Sequence, residues 1–177
     1  ANIYCRIILV LECKYMKKSN HIDDKGNTQM VDVSNRAITN RKAIASGYIN
    51  LSRDALNIIK GNENKKGDVL GIAKIAGIQA AKKTSDLVPL AHQINLLNIK
   101  INFEIKEEEK IILCVSEVIS NGKTGVEIEA LLATQISLLT IYDMCKYIDR
   151  SMIISEVKLL FKEGGKTGVY KSPWWES

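Results

Sequence analysis

The sequence predicts an α+β fold, one antiparallel sheet with helices on one face, from three observations. Leu97, Ile99, Ile101, Phe103 and Ile105 alternate with Asn98, Lys100, Asn102 and Glu104, the period of a strand with one buried face. A charged turn from Glu107 to Lys110 leads into Ile111 to Ile119 as a partner strand, so the two read as a hairpin. From Ala130 to Tyr142 there is no Asp, Glu, Lys or Arg, which marks a helix built for the interior. In chain order the pattern is strand, helices, strand, strand, helix, strand, that of the split βαβ or ferredoxin-like fold. Helices cover one face of such a sheet; the other must be solvated or covered by another subunit.

The remaining elements follow from local chemistry. Asp23, Asp24, Gly26 and Asn27 supply a turn, the segment around Asp32 reads as irregular, and Ala43 to Leu51 reads as the first strand. Ser52 is placed to cap a short helix that carries Asp54 in its first turn and closes at Gly61. After the polar run GNENKKG, Asp68 caps a second helix whose Leu70, Ala73, Ala76, Gly77, Ala80 and Ala81 form a small-residue face. That helix fades before Pro89, and His92 falls in the loop beyond it. Met152 to Phe161 reads as the last strand, with GGKTGVYKSPWWES as loop and tail.

The charge-free helix organises the rest. Leu131, Leu132, Ile136, Leu139 and Tyr142 recur at helical spacing as one apolar face, and Asp143 and Lys146 extend that face by one turn. Charge there costs energy unless it is paired or used. Upstream, Glu127 and Glu129 stand two apart in what reads as an extended segment, which points both carboxylates to one side. A helix-end salt bridge beside a solvated acidic pair accounts for these four groups as well as a functional site does.

At 177 residues and 19.7 kDa the chain fits one domain: an N-terminal extension over 1–20, a principal domain over 21–168 and a tail over 169–177. The apolar run Ile7 to Leu11 in the extension is too short to span a membrane, and the extension reads as a poorly informative N-terminal segment, with a precursor or targeting remnant as the alternative. Cytoplasm is the expected location, with a mitochondrion or other organelle as the alternative if that remnant is a targeting segment. A net charge of +5 suits an anionic partner. Cys5, Cys13, Cys114 and Cys145 show no CxxC spacing and read as reduced thiols, and with only His21 and His92 a multi-histidine metal centre is excluded within one chain.

GKTGV occurs at Gly122 to Val126 and again at Gly165 to Val169. A phosphate-loop reading fails, because the glycine required four residues before the GK pair is replaced by Glu117 and by Leu160. An RNA-binding sheet needs exposed aromatics on its central strands, yet Phe103 lies on the apolar face, so no nucleic acid is expected.

Taken together, HIDDKGNTQMVDVS, KKGDVLGIAKIAGIQAAKKTSDLVPLAH, GKTGVEIEAL, LTIYDMCK and LLFKEGGKTG resemble successive blocks of the MoaC family, the cyclic pyranopterin monophosphate synthases of molybdenum-cofactor biosynthesis. The resemblance runs in family order from about His21 to Gly168. It implies a ferredoxin-like subunit in a homohexamer, a trimer of dimers, with active sites at subunit interfaces. It also implies a lyase that converts a cyclised dihydro-GTP, made by a radical SAM partner enzyme, into cyclic pyranopterin monophosphate and pyrophosphate. No cofactor is required, though magnesium can accompany the triphosphate.

The same resemblance assigns residues. The family's catalytic lysine falls on Lys66, its histidine on His92, and the aspartate and lysine of its YDMCK block on Asp143 and Lys146. Substrate-binding positions fall on Leu90, Ala91 and His92 and on Glu127, Ile128 and Glu129, with Asp32, Arg41 and Lys162 as further polar positions. Neighbouring ammonium groups at Lys66 and Lys146 would destabilise each other's charge and so serve as acid or base. Asp143 could position Lys146 or accept a proton. Glu127 and Glu129 could hold the guanine-derived edge or a magnesium ion, with the former favoured. The family's Cys-His-Pro is Ala91, His92 and Gln93 in this chain, so the proline after the histidine is missing. The alternative function is therefore a catalytically weakened or inactive relative acting as a nucleotide-binding or interaction module.

Overall fold

The computed structural model describes residues 21–175. The extension's apolar run, Cys5 and Cys13 lie outside the described residues. The described residues fall into two compact units, one ending at Asp32 and the other beginning at Val33. In the first, the Asp23 carboxylate accepts from the backbone N–H of Lys25 at 2.9 Å and of Asn27 at 2.7 Å, which makes the expected turn. Ile22 and Thr28 bridge across it, and Asp32 lies exposed in irregular backbone.

The second unit is an α+β structure. Its five strands are β1 (Thr39–Asn50), β2 (Leu96–Lys106), β3 (Ile111–Gly122), β4 (Ile153–Glu163) and β5 (Tyr170–Lys171). They form one antiparallel sheet in the order β2-β3-β1-β4-β5. Four helices complete it: α1 (Arg53–Lys60), α2 (Val69–Lys82), the single-turn α3 (Thr84–Leu87) and α4 (Glu127–Cys145). The helical connection from β1 to β2 leaves room for β3 between them, and the one from β3 to β4 leaves room for β1.

Local chemistry sets the helix starts as expected. Ser52 Oγ accepts from the Ala55 N–H at 3.3 Å and Asp68 Oδ1 from the Gly71 N–H at 2.9 Å. Beyond α1 the left-handed turn is taken by Asn62, at φ 53°, while Gly61 stays right-handed. The β2–β3 hairpin turns at Lys110, at φ 55°.

Three expectations are corrected. The buried side of α4 is Ala130, Ala133, Thr134, Ser137, Leu138, Ile141, Met144 and Cys145, whereas Leu139 is 52% exposed. Of the predicted stripe, Leu139 faces out, Leu132 and Ile136 are half-buried, and only Leu131 and Tyr142 flank the core; small residues face inward because α4 lies close to α2 and to the sheet. A Cβ on Gly77 would strike Ser137 Oγ and the Ala133 carbonyl, and Ser137 Oγ donates to the Ala73 carbonyl at 3.1 Å. Ser116 on β3 ties the same helix down, its hydroxyl donating to the Ala130 carbonyl at 2.7 Å. Second, a register shift between Leu96 and Asn98 turns Leu97 out of the apolar face, leaving it exposed while Leu96 packs on the core. Third, part of the expected tail is structured: Tyr170 and Lys171 pair with Lys162 and Phe161, and Trp175 stacks on Phe161 at 4.9 Å.

By length and composition α4 could cross a membrane. Its hydrogen bonds to β3 and α2 and its buried small residues mark it instead as the core helix of this unit.

Candidate functional site

The C-terminal end of α4 gathers three of the predicted residues. Lys146 Nζ lies 2.7 Å from Asp143 Oδ1, one helical turn apart. Lys66, from the loop before α2, donates to the Asp143 backbone carbonyl at 2.9 Å and sits 3.4 Å from Oδ2. All three side chains are open to solvent. The hydrogen bond from Lys146, then that from Lys66, holds the Asp143 carboxyl below its usual range. Asp143 thus stands between the two ammonium groups, which meet through a carboxylate rather than facing one another. It also lies on the exposed side of α4, so the expectation that it continues a buried apolar face is corrected.

The opposite end of α4 gathers a second group. Glu127 and Glu129 lie in the first turn of the helix, not in an extended segment, so two positions apart places them on different sides. Glu127 Oε1 pairs with Lys162 Nζ at 2.9 Å, and Lys162 donates to Thr167 Oγ1 at 2.8 Å. Glu129 is only 3% exposed and has no cation partner among the described residues. Burial, then the neighbouring charge of Glu127, pushes its carboxyl up to about 7. Two carboxylates so arranged on one helix do not converge on a single metal ion. No group of three His, Cys, Asp or Glu among the described residues could hold one either.

Arg41 joins this end to the glycine-rich repeats. It is 8% exposed, and its Nε donates to the Gly122 carbonyl at 3.1 Å, the first residue of the first GKTG copy. The second copy wraps its other side: Gly164 and Gly165 have φ of 97° and 78°, and a Cβ on Gly165 would strike the guanidinium. No carboxylate among the described residues pairs with Arg41. Its ladder neighbour Ser120 carries a fully buried hydroxyl with no hydrogen-bond partner among the described residues.

Leu90, Ala91 and His92 precede β2, half-buried. Leu96 pairs opposite Ser120, so this loop enters the sheet at the Arg41 end. Ile128 is 44% exposed in the first turn of α4. Within one chain the structure therefore collects Lys66, Asp143 and Lys146 at one end of α4, and Arg41, Glu127, Glu129 and Lys162 at the other. At about 1.5 Å per residue the two ends are roughly 24 Å apart. Asp32 belongs to the first unit. Thr167 and Gly165 were missed as site residues; the duplicated GKTG was the signal that could have found them. A hollow between α2 and β2, lined by Asp68, Leu70, Gly71, Lys74, Asn102 and Phe103, contains none of the predicted residues.

The chain is 51% identical over 151 residues to a cyclic pyranopterin monophosphate synthase of Clostridium botulinum, covering 85% of this chain and 95% of that one. It is 44% identical over 155 residues to a protein of the same name from Heliobacterium modesticaldum, covering 88% and 98%. Among solved structures, the ferredoxin protease FusC in complex with Arabidopsis ferredoxin aligns at a TM-score of 0.31 and 7% identity, over 59% of this chain and 10% of that one, too distant to bear on the fold. The family model for MoaC matches residues 30–165, a span that holds both ends of α4, both lysines beside Asp143 and the Arg41 cradle, and the chain belongs to the MoaC family.

Proposed function

We propose that this chain is a cyclic pyranopterin monophosphate synthase: a lyase that converts cyclised dihydro-GTP to cyclic pyranopterin monophosphate, with release of pyrophosphate, in molybdenum-cofactor biosynthesis. The observation that carries the reading is the meeting of Lys66, Asp143 and Lys146 at one point of a chain whose relatives bear that name. A carboxylate held ionised between two ammonium groups can fix both in place, one to give up a proton to the substrate and the other to stabilise charge on a departing phosphate. The substrate would be supplied by a radical SAM enzyme acting upstream.

The second group suits the triphosphate end of that substrate. A buried guanidinium without a carboxylate leaves its charge to be met by an anion, and a phosphate presents the matching oxygens. Glu129, whose carboxyl is raised by burial to about 7, can donate as well as accept a hydrogen bond when protonated and so suits the guanine-derived edge. Magnesium enters this reading only as a counter-ion of the triphosphate.

Because the two groups lie at opposite ends of α4, we infer that one substrate meets Lys66 of one copy and Arg41 of another, in a homohexamer of ferredoxin-like subunits built as a trimer of dimers. A cytoplasmic setting belongs to the same proposal.

The test is turnover by the purified chain given cyclised dihydro-GTP, with pyrophosphate and cyclic pyranopterin followed by mass spectrometry. Both products are expected, and Lys66→Ala should slow their formation by about 100-fold or more with the assembly intact. Tight binding without product would overturn the synthase in favour of a nucleotide-holding relative, to which the missing proline after His92 would then point.

A further inference from the structure

Lys66 sits in a seven-residue polar loop, GNENKKG, and a long flexible side chain in such a loop has no inherent reason to stand at the end of a helix. What holds it there is Asn64, itself only 7% exposed. Its side-chain oxygen accepts from the Lys66 backbone N–H at 2.8 Å, and its backbone carbonyl accepts from the Gly67 N–H at 2.9 Å. These two bonds wind the loop tightly around Lys66. The amide nitrogen of the same side chain reaches the other way, donating to the Met144 carbonyl at 3.3 Å and to Cys145 Sγ at 3.6 Å.

Those acceptors belong to the last turn of α4, where carbonyls have no partner within the helix. Asn64 satisfies the Met144 carbonyl and the Lys66 ammonium satisfies that of Asp143, so the loop caps the helix that carries Asp143 and Lys146. Tyr147 adds a second fastening on the solvent side: its hydroxyl oxygen accepts from the Lys65 N–H at 3.3 Å, and Lys65 Nζ lies 5.9 Å from its ring centre. The GNENKKG run reads in sequence as a solvated linker, yet one of its asparagines is buried and has both ends of its amide occupied.

We propose that Asn64 is a positioning residue for the reaction, locking the Lys66 backbone to the end of α4 so that the ammonium is delivered to Asp143, with Tyr147 as an auxiliary fastening. The inference rests on the synthase reading and deepens it. Asn64 touches no substrate in this account and acts only through Lys66.

The experiment is a double-mutant cycle on the full chain, read as product formed from cyclised dihydro-GTP. Asn64→Ala should lower kcat about tenfold or more, with KM changed less than about twofold, since a small misplacement of a reacting group is costly. In the Lys66→Ala background, where residual product is followed over long incubations, adding Asn64→Ala should change the rate by less than about twofold. An equal loss in both backgrounds would mean a merely structural asparagine and would overturn the proposal. Tyr147→Phe removes one exposed hydroxyl and guards against a folding failure of the first variant. It should lower kcat about threefold in the wild-type background and leave the Lys66→Ala background unchanged. Full activity of Tyr147→Phe together with full activity or an additive loss in Asn64→Ala would overturn it. If Asn64→Ala does not fold, the Tyr147→Phe cycle decides alone. A wild-type chain that makes no product sinks the synthase reading as well, whereas an active wild type with insensitive variants sinks only this one.

Discussion

Lys66 meets Asp143 twice, through the backbone carbonyl at 2.9 Å and through the carboxylate at 3.4 Å. The first contact is independent of the charge on the aspartate side chain and the second is not. Asp143→Asn therefore leaves Lys66 moored while removing the negative charge between the two ammonium groups. Turnover should fall by about 100-fold or more, the scale of an acid or base group that has lost its placement. The melting temperature should scarcely change, because the pair is exposed and screened by solvent. Steady-state kinetics beside a thermal melt on the same sample checks both halves.

Glu129 gives a pH dependence of opposite sign to that of a paired carboxylate. Its folded value is raised to about 7 by burial, so its favourable contribution is fully present below the unfolded value of 4.5 and is lost as pH rises through 7. Glu129→Gln keeps the shape and removes the ionisation. The variant should match wild type in stability below about pH 4 and exceed it above pH 8 by roughly 3 kcal/mol at most. Denaturant melts across that range would show it, and parallel curves for the two proteins would contradict the buried, unpaired carboxyl.

Gly165 and Gly168 separate backbone strain from crowding. Both have positive φ, 78° and 64°, but a Cβ on Gly168 meets nothing within 4 Å while one on Gly165 meets the Arg41 guanidinium. Gly168→Ala should cost about 1 kcal/mol. Gly165→Ala should cost at least about twice that and also displace Arg41. Equal losses in chemical denaturation would mean that the turn can move off the arginine.

How much of this was legible in the sequence depends on the range of the interaction. The β2–β3 hairpin and the Ser52 and Asp68 caps are local, and period-two alternation or a single polar side chain announces them. The buried face of α4 is not local: α2 and the sheet approach closely enough that Ala133 and Ser137 go inside while Leu139 stays out, so side-chain size overrides hydrophobicity. The Lys146–Asp143 contact follows from helical spacing. The Lys66 contact spans 77 residues of chain, and only the family resemblance, not any periodicity, joined the two. Glu127 and Glu129 read as extended because no capping side chain announces the helix, which begins immediately after Val126.

Arg41 carries the most direct test of the anion site. Its charge is buried, its Nε is spent on the Gly122 carbonyl, and no carboxylate among the described residues balances it. A buried ion in that state weakens the unliganded fold and rewards an arriving anion. Inorganic pyrophosphate should therefore raise the melting temperature of the wild-type protein in a concentration-dependent way. Arg41→Met, close in volume and uncharged, should retain the unliganded melting temperature or increase it, and should lose about tenfold or more in pyrophosphate affinity, the scale of one charged hydrogen bond. Calorimetric titration of both proteins at fixed ionic strength measures the difference. Unchanged affinity in Arg41→Met would move the phosphate away from the two GKTG turns and leave Lys66 and Lys146 as its remaining cationic partners.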